Sequence, residues 1–387
     1  MQQYNEEALK QNAAINFNRP YQQCAISVMD TIADPHISFD EKGISNYYYD
    51  YQKIVEQELF SGKIGEDRLE QLLNTIKKDG KNKPYDCITG VSGGVDSSYL
   101  VWKAKEWGLR PLVVHFDNGW NSEIAVQNIN KLIEKTGFDL YTIVVDWEEF
   151  RDLQLAYLKA SVVDIEVPTD HAITGTLYKL AKKYNLRYIL SGNNIVTEAI
   201  LPASWCYSKN DYQNIININK QFGNKDFKTY PLYGFWPTYS TIYKNIVKTV
   251  KPLNFVDYNK EEAKSIIQKS FGWQDYGGKH YESVFTKFYQ AYILPVKFGI
   301  DKRKAHLSSL IFSGQISKDL ALEELTKPIY KTEEFERDLD YFLKKTQLSR
   351  EQFEDIMKQQ RIEHKSYGTI VPLTKKFPIL KIFKIKI

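Results

Sequence analysis

The chain has 387 residues, of which 43% are apolar, so it can bury a proper core in two or three lobes. Its formal charge of +4 is small for that length and does not by itself argue for a nucleic-acid partner. The three cysteines, Cys24, Cys87 and Cys206, are too few and too far apart for a disulfide framework, which fits a reducing compartment and a cytoplasmic location. There is no apolar window of about 18 residues and no apolar stretch in the opening "MQQYNEEALKQNAAINFN", so neither a membrane span nor a secretory signal is expected.

Residues 1–50 are polar and turn-rich. In "GEDRLEQLLNTIKKDG", Leu69, Leu72, Leu73 and Ile76 recur at helical spacing, with acids leading and lysines closing before Gly80. These residues form an N-terminal segment, 1–80. From residue 81 the rhythm changes. The apolar runs "YDCITGVS", "RPLVVHFDNGW", "DLYTIVVDW" and "LRYILSGNN" alternate with the helical stretches "SSYLVWKAKEWG", "SEIAVQNINKLIEKTG" and "HAITGTLYKLAKKYN". Ser122 is a plausible cap for the second of these helices. That alternation predicts an α/β domain over 81–196, a parallel sheet with helices on both faces. Ligands of such sheets bind at the carboxyl ends of the strands, here Gly90–Ser92, His115–Gly119, Asp146 and Ser191–Asn194. Residues 197–387 read as a mainly helical, aromatic-rich substrate-binding region. Helical patches are expected near 259–270, 280–292 and 317–325, with a closing pair at 332–347 and 349–360. The tail "LTKKFPILKIFKIKI" alternates apolar and basic residues and reads as an edge or docked strand, with a membrane-surface contact as the alternative.

Gly90-Val91-Ser92-Gly93-Gly94-Val95-Asp96-Ser97-Ser98 stands between the first strand and its helix. Glycines admit positive φ and close approach of backbone to ligand. The helix that follows offers unpaired N–H groups and the positive end of its dipole, and the serines add hydroxyl donors. Such a loop suits an anion with several oxygens. It is neither a Walker loop, since no Gly-Lys-Ser/Thr follows, nor Gly-x-Gly-x-x-Gly.

"SGGVDSS" resembles the PP-loop of the ATP pyrophosphatases, which cleave ATP between the α and β phosphates and pass AMP to a substrate oxygen. The resemblance implies that Gly90, Val91, Ser92, Gly93, Gly94, Ser97 and Ser98 hold the nucleotide's phosphates. It also implies that Asp96 holds Mg²⁺ or orients the loop, and that His115, Phe116 and Gly192 frame adenosine. Over residues 20–330, the stretches "CAISVMDTIADPHISFDEKGISNY", "SGNNIVTEAILPASW", "VKPLNF" and "FGWQDYGGKHYESVFTKFYQAYILPVKFGIDKRKAHLSSLIFSGQIS" resemble the N-acetyl sugar amidotransferase family. Its members turn an acetamido group of a sugar into an acetamidino group during surface-polysaccharide and flagellar-sugar biosynthesis. The resemblance implies ATP and Mg²⁺, an N-acetylated nucleotide-linked sugar, and catalysis by Asp96, Ser97 and Arg303. It implies no nucleic acid and no integral membrane association, and it is compatible with a homo-oligomer.

The family's two Cys-x-x-Cys zinc pairs are reduced here to Cys24-Ala25-Ile26-Ser27 and Ser45-Asn46-Tyr47-Tyr48, so no zinc is expected, since one thiolate cannot build a tetrahedral site. Residues 20–50 must then fold on other contacts, with the tyrosines at 47–49 as candidates. No cysteine has the setting of a glutaminase nucleophile, which implies a separate glutaminase subunit that supplies ammonia. Substrate contacts are expected from Asn193, Asn194, Thr197 and Glu198 after the fourth strand, and from Lys279 and His280. In "FGIDKRKAHL", with Asp301, Lys304 and His306 beside them, Lys302 and Arg303 read either as an oxyanion clamp or as a solvated helix start. Asp117 and Asn118, at the end of the second strand, are expected to face the same cleft. Two alternatives remain at this level: a PP-loop enzyme that adenylates a tRNA base, and a nucleotide-binding module that has lost catalysis.

Overall fold

The computed structural model describes residues 19–234, 247–278 and 281–370. In chain order the N-terminal helices are α1 (Asn46–Glu58) and α2 (Gly62–Asp79). The α/β unit follows as β1 (Cys87–Gly90), α3 (Val95–Glu106), β2 (Pro111–Asp117), α4 (Glu123–Thr136), β3 (Leu140–Val144), α5 (Trp147–Lys159), α6 (Val167–Lys183) and β4 (Tyr188–Leu190). Then come a single turn, α7 (Ile195–Glu198), α8 (Tyr212–Phe222), β5 (Lys248–Val250) and α9 (Lys260–Phe271). A continuous helical rod is built from α10 (Val284–Phe288), a π-helical turn (Tyr289–Ile293) and α11 (Leu294–Phe298). The chain continues with α12 (Arg303–Phe312), α13 (Lys318–Thr326), α14 (Thr332–Thr346) and α15 (Arg350–Lys358).

The five strands are all parallel in the order β3-β2-β1-β4-β5. Central β1 and β4 are almost continuously apolar because both of their faces are covered. On one face α3 brings Leu100, Val101 and Ala104 against Cys87 and Val113, and α4 adds Ile129 and Leu132. On the other face α6 lays Tyr178, Leu180 and Ala181 over Ile88, Leu112 and Ile189. This is the α/β sandwich expected from the alternation. A third cluster, rich in aromatic rings, joins α5 to the C-terminal helices, with Trp120, Phe285, Phe288 and Phe342 at its centre.

Local chemistry sets the ends of α4. Ser122 Oγ accepts the Ala125 N–H at 3.2 Å, and Gly137 closes the helix in the left-handed conformation at φ 71°. Replacing Ser122 by Ala is expected to cost about 1 kcal/mol of unfolding free energy, the usual worth of such a cap, as read by urea denaturation.

Two features depart from the sequence reading. The sheet does not end at residue 196, because β5 pairs with β4 from within the segment assigned to the C-terminal region. Asp146, expected at a ligand-facing strand end, instead caps α5, its carboxylate accepting the Glu149 N–H at 3.0 Å.

Residues 20–50 do fold on other contacts. Asp30 Oδ1 accepts the N–H groups of Ile32 and Ala33, and Asp40 Oδ1 those of Lys42 and Ile44. Tyr47 and Tyr49 donate to Asp34 (2.5 Å) and Asp40 (2.6 Å), so the tyrosines do brace these turns. Cys24 is buried, and its sulfur accepts the Ser45 N–H at 3.3 Å. Burial pushes that thiol's pKa up, but hydrogen bonds from Ser27 and Ser45 outweigh it and hold the group below its ordinary value. Trp205 Nε1 donates to Ala33 O and Lys304 pairs with buried Asp30, which fastens the segment to the turn before α8 and to α12.

Candidate functional site

Strand order runs outward in both directions from the β1–β4 pair, so the crevice beyond their carboxyl ends is the topological switch point. A cavity of about 1390 Å³ opens there. Its floor is Gly90 at the end of β1 with Val91 and Ser92 after it, Gly94, Val95, Asp96 and Ser97 at the start of α3, and Ser191, Gly192 and Asn193 after β4.

The loop is shaped by its glycines. Gly93 has φ +86°, and a Cβ there would lie 2.6 Å from the Ala125 carbonyl oxygen. Its own carbonyl accepts the Trp273 indole N–H at 2.9 Å. Gly192 sits so close to α3 that a Cβ would meet the backbone of Asp96 and Ser97 at 3.2 Å. Among the described residues no side chain caps α3, so its first-turn N–H groups are left to the cavity. The Ser92 and Ser97 hydroxyls lie 3.2 Å apart, and Ser92 Oγ also accepts the Gly94 N–H at 3.3 Å. Hydroxyls and helix N–H groups therefore converge on one spot.

Asp96 is positioned rather than loose. Its Oδ1 accepts from Asn194 Nδ2 at 3.2 Å and from the Tyr258 hydroxyl. Burial, then the Asp96 charge, raise the Tyr258 pKa far above its ordinary value, so the phenol stays protonated as donor. His115, buried at the end of β2, has Nδ1 3.1 Å from the Val91 carbonyl and Nε2 3.2 Å from Asn121 Nδ2. With the amide as donor, the imidazole accepts at Nε2 and donates from Nδ1 to the loop backbone.

Of the residues singled out in the sequence, Phe116, Asn118, Asn193, Glu198, Asp301, Lys302, Arg303 and His306 also line this cavity. Others do not. Ser98 Oγ is buried beneath α3 with no hydrogen-bond partner among the described residues, so it faces away from any ligand. Gly93 turns its carbonyl inward and shapes the loop without lining the cavity. Asn194 and Thr197 are 3% and 2% exposed; Asn194 Oδ1 accepts the Thr197 N–H and hydroxyl, so the pair caps α7 and holds Asp96 instead of reaching substrate. Asp117 Oδ1 accepts from Gly119 N and Asn121 Nδ2 and stays outside the cleft. Lys304 is tied to Asp30. Lys279 and His280 lie outside the described residues.

Arg303 is at the cavity wall, but its fork is engaged. Nε and Nη2 donate to Asp301, and Nη1 donates to the Glu324 and Lys327 carbonyls at 3.2 and 2.8 Å. That geometry makes it a brace between α12 and the end of α13. Arg303→Ala is expected to lower the unfolding free energy by about 1.5–3 kcal/mol, the worth of charge-assisted bonds, as measured by urea denaturation. Its neighbour Lys302 is different: among the described residues no carboxylate lies within ion-pair distance, and burial lowers its pKa.

Sequence reasoning missed Tyr258, Glu166, Asp170 and Lys209. Glu166, Asp170 and Lys209 line the cavity from α6 and the loop before α8, and Lys209 Nζ bridges Asp164 (2.6 Å) and Asp170 (3.1 Å). Nothing in the local pattern of "DIEVPTDH", "CYSKND" or "VDYNKEE" marks these positions, because the fold alone brings them to the cleft.

A parallel sheet with an uncapped, glycine-lined helix start at its switch point defines an anion-binding α/β site. Residues 282–380 match the model of the family described as LPS biosynthesis protein WbpG-like, C-terminal domain. The matched segment supplies Glu282, Thr286, Gln290 and Lys302 to the same cavity as the glycine loop. No curated protein matches the chain. Among solved structures, NH3-dependent NAD synthetase from Campylobacter jejuni subsp. jejuni NCTC 11168 aligns at TM-score 0.28 and 13% identity over 41% of this chain and 76% of that one. NMN synthetase from Francisella tularensis aligns at 0.29 and 15% over 58% and 92%. The U34-tRNA thiolase NcsA from Methanococcus maripaludis aligns at 0.30 and 11% over 66% and 80%. At that level of likeness the site rests on its own geometry.

Proposed function

We propose that this chain is an ATP-dependent synthetase of surface-polysaccharide or flagellar-sugar biosynthesis. In this reading it adenylates the acetamido oxygen of an N-acetylated, nucleotide-linked sugar and lets ammonia displace AMP to leave an acetamidino group. The observation that carries the reading is the single cavity shared by the SGGVDSS loop and the segment that matches a lipopolysaccharide-biosynthesis domain.

An amide oxygen is a poor leaving group, and adenylation makes it a good one. The departing pyrophosphate would gather charge where the α3 N–H groups and the Ser92 and Ser97 hydroxyls converge, which favours the transition state over bound ATP. Asp96 fits a magnesium ligand: its carboxylate is on the cavity and is oriented from behind by Tyr258 and Asn194. Magnesium there would neutralise phosphate charge. His115 and Phe116, which line the cavity near the end of β2, would frame the nucleoside. Lys302, partly buried on the cavity wall, is available to an anionic group of the sugar nucleotide. Ammonia would come from a separate glutaminase subunit, with free ammonium replacing it in vitro.

The test incubates the chain with ATP, Mg²⁺, ammonium and a panel of nucleotide-linked diacetamido sugars. Sugar-dependent release of AMP and pyrophosphate, with an amidine in the product, is expected. ATP turnover that ignores every sugar but responds to tRNA would replace this reading with that of a base-modifying enzyme.

A further inference from the structure

The reaction proposed above releases a proton that the phosphate-binding loop and Asp96 are not set up to take. When ammonia adds to the adenylated, iminium-like carbon, a C–N bond forms and the nitrogen becomes an ammonium centre. Collapse breaks the C–O bond, whose electron pair leaves with AMP. One N–H bond must give its electron pair to the new C=N bond and its proton to a base, leaving the amidinium. The glycine loop is a set of donors, and Asp96 already accepts from Tyr258 and Asn194.

The cavity wall holds a carboxyl group with a vacant acceptor. Glu166 stands at the start of α6, on the same cavity as the loop. Its Oε2 accepts the Thr286 hydroxyl at 3.1 Å, which fixes the rotamer. Its Oε1 is shielded and has no hydrogen-bond partner among the described residues. A buried carboxyl oxygen left without a partner costs stability, and such costs are tolerated where a ligand completes the site. Thr286 and Gln290 flank it from α10 and the π-helical turn, within the segment that matches the lipopolysaccharide-biosynthesis domain.

We propose that Glu166 is the general base of the nitrogen-transfer half-reaction, its Oε1 receiving the proton lost by the attacking amine. The inference rests on the function proposed above. Its surroundings suit the task. Burial, and then the negative charge of Asp170, push the Glu166 pKa up to about 8, while Lys209 and Lys302 oppose that rise and Asp164 adds to it. The Tyr289 hydroxyl, also close, is held neutral by burial and donates to the Val163 carbonyl. A carboxyl poised there is a far stronger base than a solvated one. Because the ionised form is the active one, the nitrogen-transfer rate should rise as pH passes upward through about 8.

The test uses the full chain, ATP, Mg²⁺ and the sugar nucleotide that supports turnover. Two steps are read separately. Sugar-dependent exchange of labelled pyrophosphate into ATP reports adenylation, and product formation with hydroxylamine reports nitrogen transfer. Hydroxylamine is already the free amine at neutral pH, so any remaining rise with pH belongs to the enzyme. Glu166→Gln keeps an acceptor for Thr286 and is expected to retain exchange while losing about 10²–10⁴-fold in transfer, together with the rise near pH 8. Glu166→Asp, which retains a carboxylate, should recover part of the rate and the pH dependence. Transfer by Glu166→Gln within a few fold of the unmodified chain would overturn the proposal. So would parallel loss of exchange and transfer in both variants, since that assigns Glu166 to binding or folding. Absence of sugar-dependent exchange in the unmodified chain would instead refute the proposed reaction, and the inference with it.

Discussion

Replacing Asp96 by Asn is expected to lower pyrophosphate release by about two to three orders of magnitude while leaving the fold intact. The carboxylate sits in the first turn of α3, where a negative charge is favourable to the helix and faces the cavity. Tyr258 and Asn194 both donate to Oδ1, and an asparagine in the same rotamer still offers an oxygen to them. The substitution therefore removes charge with little change in packing. If the charge positions magnesium against the leaving pyrophosphate, adenylation fails at the chemical step, so kcat falls more than ATP affinity. A pyrophosphate-coupled assay checks this, with the thermal midpoint as the control for folding. Near-normal turnover would remove Asp96 from the machinery.

Gly93→Ala should act through structure and destabilise the chain by about 2–5 kcal/mol. Of that, about 1–2 kcal/mol reflects the left-handed backbone and about 1–3 kcal/mol the overpacking. A methyl group at this φ of +86° would press on the Ala125 carbonyl oxygen at 2.6 Å. Neither side can yield cheaply. Ala125 is in the first turn of α4, which Ser122 caps, and the Gly93 carbonyl is held by the Trp273 indole. Urea denaturation gives the energy, and loss of nucleotide binding in the surviving folded fraction would show that the loop has moved. A stability loss below about 1 kcal/mol would mean that the loop relaxes freely and that its shape is not fixed by α4.

Most of the α/β unit was legible because its signals are local. The apolar runs at 87–90 and 111–117, the Ser122 cap and the Gly137 stop all act within a few residues of where they stand in the chain. The closing helices were equally plain: Phe335, Leu339 and Phe342 repeat at helical spacing in α14, and Ser349 with Gln352 forms a capping box at α15. The cavity floor was readable for the same reason, since loop and helix start are contiguous in sequence. What stayed hidden depends on tertiary placement. The run Lys248–Val250 is three residues long and mostly exposed, so it carries no strand pattern of its own. Asp146-Trp147-Glu148-Glu149 is a helix start that looked like a strand end. Glu149 is buried because its carboxylate accepts from residues 228–230, about which its own neighbourhood is silent. Ser98 and Asn194 shared the chemistry of their cavity-lining neighbours, and only the direction of the side chain separates them.

The late arrival of β5 has a consequence for how the chain comes to its fold. Residues 81–196 contain the glycine loop and four strands, yet as an excised fragment they would present β4 as an open edge: among the described residues, Tyr188, Ile189 and Leu190 are paired on that side with Lys248–Val250. Such an apolar, unpaired edge is a template for another chain. During synthesis that hazard lasts until residue 250 has emerged, and the long sequence separation makes the final pairing a slow step. Expression fragments cut near 196 are therefore expected to aggregate, whereas those that run past 250 can close the sheet.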